Sequence, residues 1–139
     1  MTTDTQILKQ DDADYLYKDQ TEKLIGSAFR VYNTLGYGFR EKEYQRAYAL
    51  ELEKLQLKFS RELYCNLKYE GRIISKFFID FLVEDKIVVE LKVAEKFYKK
   101  HFDQVMTYLT DNKLELGLLI IFTSKKVLVK RIINSKKSA

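Results

Sequence analysis

The sequence predicts a single α/β domain in which two helices precede a group of strand-forming segments and a third helix lies between the strands. Apolar residues recur at helical spacing in the first part of the chain, and segments rich in β-branched and aromatic residues then take over. With 139 residues, 46% of them hydrophobic, the chain is long enough for one sizeable core and too short for two ordinary domains.

We expect both ends of the chain to lie outside this domain. Residues 1–17 are polar and without a hydrophobic period, which predicts a flexible tail that contacts the domain only through Tyr15, Leu16 and Tyr17. Residues 18–134 form the predicted domain, and residues 135–139 a short solvated end. Neither a signal-peptide pattern nor a membrane-spanning apolar run is present, so we expect a cytoplasmic protein that does not contact a membrane.

Two amphipathic helices are predicted first. The first begins near Gln20 and ends at the sequence LGYG, residues 35–38, where glycines favour a helix stop. The second covers about residues 40–57. It carries Glu41 on its inward face, three residues before Tyr44.

Five strand-forming segments follow, with one helix among them. Two long segments divided by Glu70 and Gly71 predict a β-hairpin, and KIVVELKV, residues 86–93, predicts a third strand. A helix of about residues 95–112 comes next. LGLLIIF, residues 116–122, then predicts a central strand covered on both faces, and KVLVKRII, residues 126–133, predicts the last strand.

The composition excludes several classes of enzyme and metal site. One cysteine, Cys65, cannot form an internal disulfide or a zinc site of several thiolates, and one histidine excludes a histidine-rich metal cluster. Neither of the phosphate-binding patterns GxxxxGK and GxGxxG occurs. The formal net charge of +5 favours an anionic partner, and nucleic acid is the commonest such partner.

Charged residues interrupt the second and third strands. If residues 84–86 form a three-residue loop, Asp80 faces Glu90 and Phe78 faces Lys92. A two-residue loop would put charge on the core face, so burial favours the first register. Under this register one face is apolar, and it contains Phe77, Ile79, Phe81, Val83, Ile87, Val89, Leu91 and Val93, whereas the other contains Phe78, Asp80, Leu82, Val88, Glu90 and Lys92.

Two directly opposed carboxylates repel each other unless a cation lies between them. Asp80 and Glu90 offer the hard oxygen ligands that suit Mg²⁺ or Mn²⁺, and Lys92 can direct its ammonium group at a water or phosphate on that ion. This combination indicates phosphodiester hydrolysis. The alternative is that both carboxylates are half-exposed strand residues paired with lysines.

Further candidate residues lie on the helices. Gln104 borders the apolar stripe of the third helix, and helical spacing brings His101 and Tyr108 to the same side. This position of Gln104 suits either a site residue or a polar residue at the edge of the core. Glu41 suits either a site role or a favourable interaction with the helix macrodipole. Basic and aromatic residues after the third strand could bind a nucleic-acid backbone. Lysines in such a position also commonly form a solvated face. The candidates are Lys96, Lys99, Lys100 and Tyr108.

Three motifs carry a resemblance to known proteins. Asp80 followed by Glu90-Leu91-Lys92 resembles the signature of the PD-(D/E)XK nuclease superfamily, and Gln104 with Tyr108 resembles the QxxxY motif of its exonuclease-like branch. The stretch from Gly38 through Glu41 to Tyr44 resembles the pattern that names the GxxExxY proteins. The resemblance runs from about residue 16 to residue 134.

The resemblance implies a restriction-endonuclease-like core, a central mixed β-sheet flanked by helices. It implies that Asp80, Glu90 and Glu41 surround Mg²⁺ or Mn²⁺, that Lys92 is catalytic and that Gln104 supports the site. We therefore expect a metal-dependent nuclease acting on DNA, with a homodimer or a protein partner as a further source of specificity. The alternative is a non-catalytic module of the same fold that binds nucleic acid or protein.

Overall fold

The computed structural model describes residues 16–135, which form three α-helices and five β-strands. The helices are α1 (Lys18–Leu35), α2 (Glu41–Lys54) and α3 (Lys99–Asp111). The strands are β1 (Phe59–Tyr69), β2 (Arg72–Val83), β3 (Ile87–Val93), β4 (Leu116–Phe122) and β5 (Val127–Ile133). None of the three helices is long and apolar enough to cross a membrane.

The predicted tail and C-terminal end lie almost entirely outside the described residues. Leu16 and Tyr17 are exceptions, and both side chains pack against the core. Helix α1 therefore begins directly after an anchored pair of residues, two positions earlier than Gln20.

The helix boundaries follow local hydrogen bonds. Helix α1 ends before Gly36, whose φ of 77° suits glycine and whose N–H donates to the Tyr32 carbonyl at 2.7 Å. Helix α2 begins after Arg40, whose N–H donates to the Glu43 carboxylate at 3.0 Å. Helix α3 begins four residues later than predicted. The reason is that the Glu95 carboxylate accepts hydrogen bonds from the N–H and hydroxyl of Ser124, which hold this segment as a loop.

The five strands form one mixed sheet in the order β1-β2-β3-β4-β5. Neighbouring strands are antiparallel except β3 and β4, which are parallel and are joined by the crossover helix α3. Every residue of β4 is buried, which agrees with the predicted strand covered on both faces. The predicted fold class, a mixed sheet flanked by helices, is confirmed.

The core consists of two clusters, one on each face of the sheet. Helices α1 and α2 cover one face, where Leu24, Tyr44 and Tyr48 pack in the first cluster. Helix α3 covers the other face, and Val105 packs there in the second cluster. A Cβ atom on Gly117 of β4 would lie 2.6 Å from Val105 Cγ1, so glycine permits the close approach of α3 to the sheet.

The predicted register of the β2–β3 hairpin is confirmed over the residues that pair. The pairs are Val83 with Ile87, Leu82 with Val88 and Phe81 with Val89. Main-chain pairing stops after these three pairs, so Phe78 and Lys92 do not pair in the ladder. The strands separate at the point where the charged residues begin.

The predicted division of β2 into one apolar and one charged face is wrong at Asp80. Ile79 packs in the second cluster with Leu82, whereas Phe81 packs in the first. Glu62 lies across from Asp80 on β1 and has a φ of 55°. At this irregularity the alternation of the strand pair is interrupted, so Ile79 and Phe81 point to opposite faces of the sheet. Asp80 consequently lies on the same side of the sheet as α2.

Candidate active site

Asp80 and Glu90 lie where β2 and β3 separate, and each bonds to the opposite strand. The Asp80 N–H donates to Glu90 Oε1 at 2.9 Å, and the Leu91 N–H donates to Asp80 Oδ2 at 2.8 Å. The two carboxylates replace the main-chain acceptors that a continued ladder would have supplied. The structure therefore brings together the two carboxylates that the register predicted to face each other.

Helix α2 adds two polar side chains from one of its faces. Glu41 Oε2 accepts a hydrogen bond from the Val93 N–H at 3.1 Å, and Gln45 Nε2 donates to Asp80 Oδ1 at 3.0 Å. Sequence reasoning missed Gln45. Its spacing of four residues from Glu41, which places both on one helix face, was the available signal.

Lys92 joins the carboxylates from β3. Its Nζ lies 3.3 Å from Glu90 Oε2, and its side chain is 21% exposed whereas that of Glu90 is 1% exposed. The ammonium group therefore contacts the buried carboxyl group of Glu90 on one side and reaches solvent on the other.

Burial determines the protonation of this cluster. It raises the pKa of Asp80 to about 6, against the opposing hydrogen bond from Leu91. Burial also raises the pKa of Glu90 to about 8, and the charge of Asp80 adds to this effect. Burial alone would lower the pKa of Lys92, but Glu90 and Glu41 outweigh it and raise that pKa. The two carboxylates thus resist carrying two negative charges together, and a nearby cation would relieve them.

A cavity of about 430 Å³ opens beside Lys92. Burial and the charges of Lys92 and Lys100 lower the pKa of His101 at its wall, which favours the neutral imidazole. The buried His101 Nδ1 has no hydrogen-bond partner among residues 16–135. The cavity can accept an anionic group, because the ammonium groups of Lys92 and Lys100 both line it. Its lining residues are Glu41, Lys92, Val93, Ala94, Tyr98, Lys100 and His101.

The predicted metal ligands are only partly gathered. Among residues 16–135, no three Asp, Glu, His or Cys side chains form a group that could hold one metal ion. Asp80 and Glu90 are adjacent, while Glu41 bonds to the end of β3. Half-buried Asp80 and buried Glu90 still fit Mg²⁺, which often takes one or two protein carboxylates and completes its shell with water and substrate phosphate.

The residues predicted on and before α3 have different environments. Lys96, Lys99 and Lys100 are exposed, and Lys99 forms an ion pair of 2.6 Å with Asp103. Gln104 is half-buried outside the cavity lining, so its supporting role stays a prediction. The Tyr108 ring, predicted to contact nucleic acid, is 5% exposed and packs in the second cluster, where a nucleic acid has no direct access to it.

Comparison with known proteins identifies the family. No curated protein matches the chain. A solved structure with the description "Crystal structure of SSO0001" is similar, with a TM-score of 0.46 and 19% identity over 77% of this chain. The chain spans 61% of that protein's length. The family model of the PD-(D/E)XK nuclease superfamily matches residues 18–132. Because that match covers nearly all of the described fold, the chain belongs to the PD-(D/E)XK nuclease superfamily.

Proposed function

We propose that this protein hydrolyses phosphodiester bonds in DNA in a reaction that requires Mg²⁺ or Mn²⁺. The observation that carries the proposal is the pair formed by half-buried Asp80 and buried Glu90, with Lys92 beside it, at the point where two strands separate. Withdrawing three ionisable groups even partly from water is unfavourable for stability, so their grouping in a nuclease-superfamily fold points to chemistry. The residues Gly38, Glu41 and Tyr44 support placing the chain among the GxxExxY proteins.

Each residue of the cluster has a distinct role in this proposal. Asp80 and Glu90 would hold the metal ion, which when bound polarises the phosphate and lowers the pKa of a water molecule. Gln45 holds Asp80 in place, and Glu41 assists from the cavity wall. Lys92 orients the attacking water and stabilises the negative charge that develops on the phosphate, since its ammonium reaches the cavity.

The cavity provides a place for the substrate backbone. A phosphate group there would lie near the ammonium groups of Lys92 and Lys100. Exposed Lys96 and the net charge of +5 add attraction for a polyanion. A cytoplasmic location is part of the proposal and is supported by the free thiol of Cys65.

A non-catalytic binding module is the second candidate, and one observation favours it. Asp80 and Glu90 both accept main-chain hydrogen bonds across the separated strands, so they also have a structural use that needs no metal. Such a module would bind nucleic acid or a protein partner on the same fold without cleaving anything.

The two candidates differ in a cleavage assay. Labelled duplex, single-stranded and branched DNA should each be incubated with Mg²⁺, Mn²⁺ or EDTA, with Glu90→Gln purified in parallel as the control for contaminating nucleases. We expect cleavage of at least one substrate with metal, and none with EDTA or with the variant. Equal cleavage in EDTA would refute the metal-dependent reaction. DNA binding without any cleavage would establish the module.

A further inference from the structure

The β1–β2 hairpin carries an unusual amount of exposed apolar surface. Its strands contain 11 and 12 residues, whereas β3, β4 and β5 contain seven each, so the hairpin extends past the rest of the sheet. More than half of the large hydrophobic side chains that are exposed in residues 16–135 lie on it: Tyr64, Leu67, Tyr69, Ile73, Ile74 and Phe78. Exposed apolar surface of this kind marks an interaction site.

Part of this surface is an aromatic pair with a cation above it. Tyr64 and Phe78 are cross-strand neighbours, 58% and 62% exposed, and their ring centroids lie 6.2 Å apart in an edge-to-face arrangement. Lys76 Nζ lies 5.4 Å from the centre of the Tyr64 ring. Strand alternation places Ile74 on the same face. We call these four residues the hairpin stripe.

The hairpin stripe is continuous with the candidate active site. Phe78 and Asp80 lie two residues apart on β2 and on the same face, because the change of face occurs after Asp80. The opposite face of the hairpin packs against α3 through Leu63, Cys65 and Phe77. The stripe is therefore presented by a supported strand pair and points along β2 toward the carboxylates.

Charge indicates the kind of partner. The hairpin segment of residues 63–79 contains Lys68, Arg72 and Lys76 against Glu70 alone, and none of these four forms an ion pair within residues 16–135. If a second copy of the chain bound here in a two-fold interface, the basic residues of one copy would lie against those of the other, and their charges would repel. A nucleic-acid strand supplies both the negative backbone and flat bases that stack on aromatic rings.

We propose that the hairpin stripe stacks unpaired bases of a nucleic-acid strand and directs that strand toward Asp80 and Glu90. The second half of this statement rests on the proposed nuclease function. Bases in a duplex are already stacked and paired, so the stripe selects a substrate with a single-stranded part, such as an end, a gap or a flap. This narrows the substrate class of the proposed site.

A binding experiment without metal tests the stripe. The double variant Tyr64→Leu/Phe78→Leu keeps apolar side chains across the strands and removes the rings, while Phe29→Leu removes a ring that is 42% exposed on α1 and is the matched control. Fluorescence anisotropy in EDTA measures the affinity for an oligothymidylate and for an abasic strand of equal length. We expect the double variant to lose roughly tenfold or more in affinity for oligothymidylate, little for the abasic strand, and the control to lose neither.

Several outcomes would refute the proposal that the hairpin stripe stacks bases. Equal losses on both probes, or no loss on oligothymidylate, would mean that the rings do not stack on bases. A wild-type dimer in sedimentation experiments that the double variant abolishes would assign the surface to a second copy. If the double variant does not fold, as thermal melting would show, the single variant Phe78→Leu gives the same comparison with an expected loss of roughly fivefold.

The outcome is separable from that of the cleavage assay. Binding in EDTA requires no catalysis, so ring-dependent binding without metal-dependent cleavage would refute the nuclease function and leave the stripe. Cleavage together with binding that does not depend on the rings would refute base stacking by the hairpin stripe and leave the nuclease function standing.

Discussion

Replacing Asp80 with asparagine should stabilise the metal-free protein at neutral pH. Asp80 accepts hydrogen bonds from the Leu91 N–H and from Gln45 Nε2. The asparagine carbonyl can keep the first bond, and the Gln45 amide can turn so that its oxygen accepts the second. Asp80→Asn therefore preserves the contacts and removes a charge beside Glu90.

The size of the gain follows from the pKa of Asp80. Burial raises it from 3.8 to about 6, and at 1.36 kcal/mol per unit the ionised group destabilises the folded state by up to about 3 kcal/mol. Allowing about 1 kcal/mol for altered hydrogen bonds, the net gain is about 2 kcal/mol, or roughly 6–10 °C in Tm. Because the folded pKa exceeds the unfolded one, stability linked to Asp80 is complete below pH 3.8 and is lost as the pH rises through about 6. The gain should therefore be full at pH 7.5 and absent at pH 4.

Thermal melts followed by circular dichroism, in EDTA at both pH values, measure this difference. Asp103→Asn is the matched control, because Asp103 forms an exposed ion pair with Lys99 and its loss should change stability by less than about 0.5 kcal/mol. Millimolar Mn²⁺ should then raise the Tm of the wild type and of the control, and raise that of Asp80→Asn much less. An Asp80→Asn protein that melts lower at pH 7.5 and keeps the full Mn²⁺ shift would show that Asp80 is only a structural acceptor.

Four other measurements address single features of the structure. Lys92→Ala should lower turnover by roughly 100-fold or more while DNA binding persists, because a transition-state charge interaction is lost; single-turnover cleavage at the wild-type rate would contradict this. Lys100→Ala should make the log–log salt dependence of DNA binding shallower by about one unit, and an unchanged slope would remove this residue from the interface. Gly117→Ala should lower stability to denaturant by about 1–3 kcal/mol, since the added Cβ would lie 2.6 Å from Val105 Cγ1; an unchanged unfolding midpoint would refute the close packing. Burial raises the pKa of the Cys65 thiol to about 11, so Ellman's reagent at pH 8 should react far more slowly with native than with urea-unfolded protein, and equal rates would show an accessible thiol.

The sequence was sufficient to predict the elements and the β2–β3 register. Hydrophobic period distinguishes helices from strands, and only one register of the hairpin places Asp80, Glu90 and Lys92 together on one predicted face. The adjacency of Asp80 and Glu90 follows from that register alone and needs no tertiary contact.

Features that depend on distant contacts could not be predicted in this way. The change of face at Asp80 depends on an irregularity at Glu62 of the neighbouring strand. The late start of α3 depends on the bond between Glu95 and Ser124, 29 residues apart. Tyr108 has the helical spacing of a site residue, but its burial depends on how α3 packs on the sheet.

The hydrogen bonds across the β2–β3 separation affect how such a protein can change during evolution. In any member of this fold that lacks the proposed activity, selection for a well-formed sheet would still retain Asp80 and Glu90, because each accepts a main-chain N–H of the opposite strand. The Lys92 ammonium bonds to no main-chain group within residues 16–135, so selection for the sheet alone would not retain this lysine in such a protein. Within this fold, a lysine at that position is therefore a better mark of a working enzyme than the pair of carboxylates.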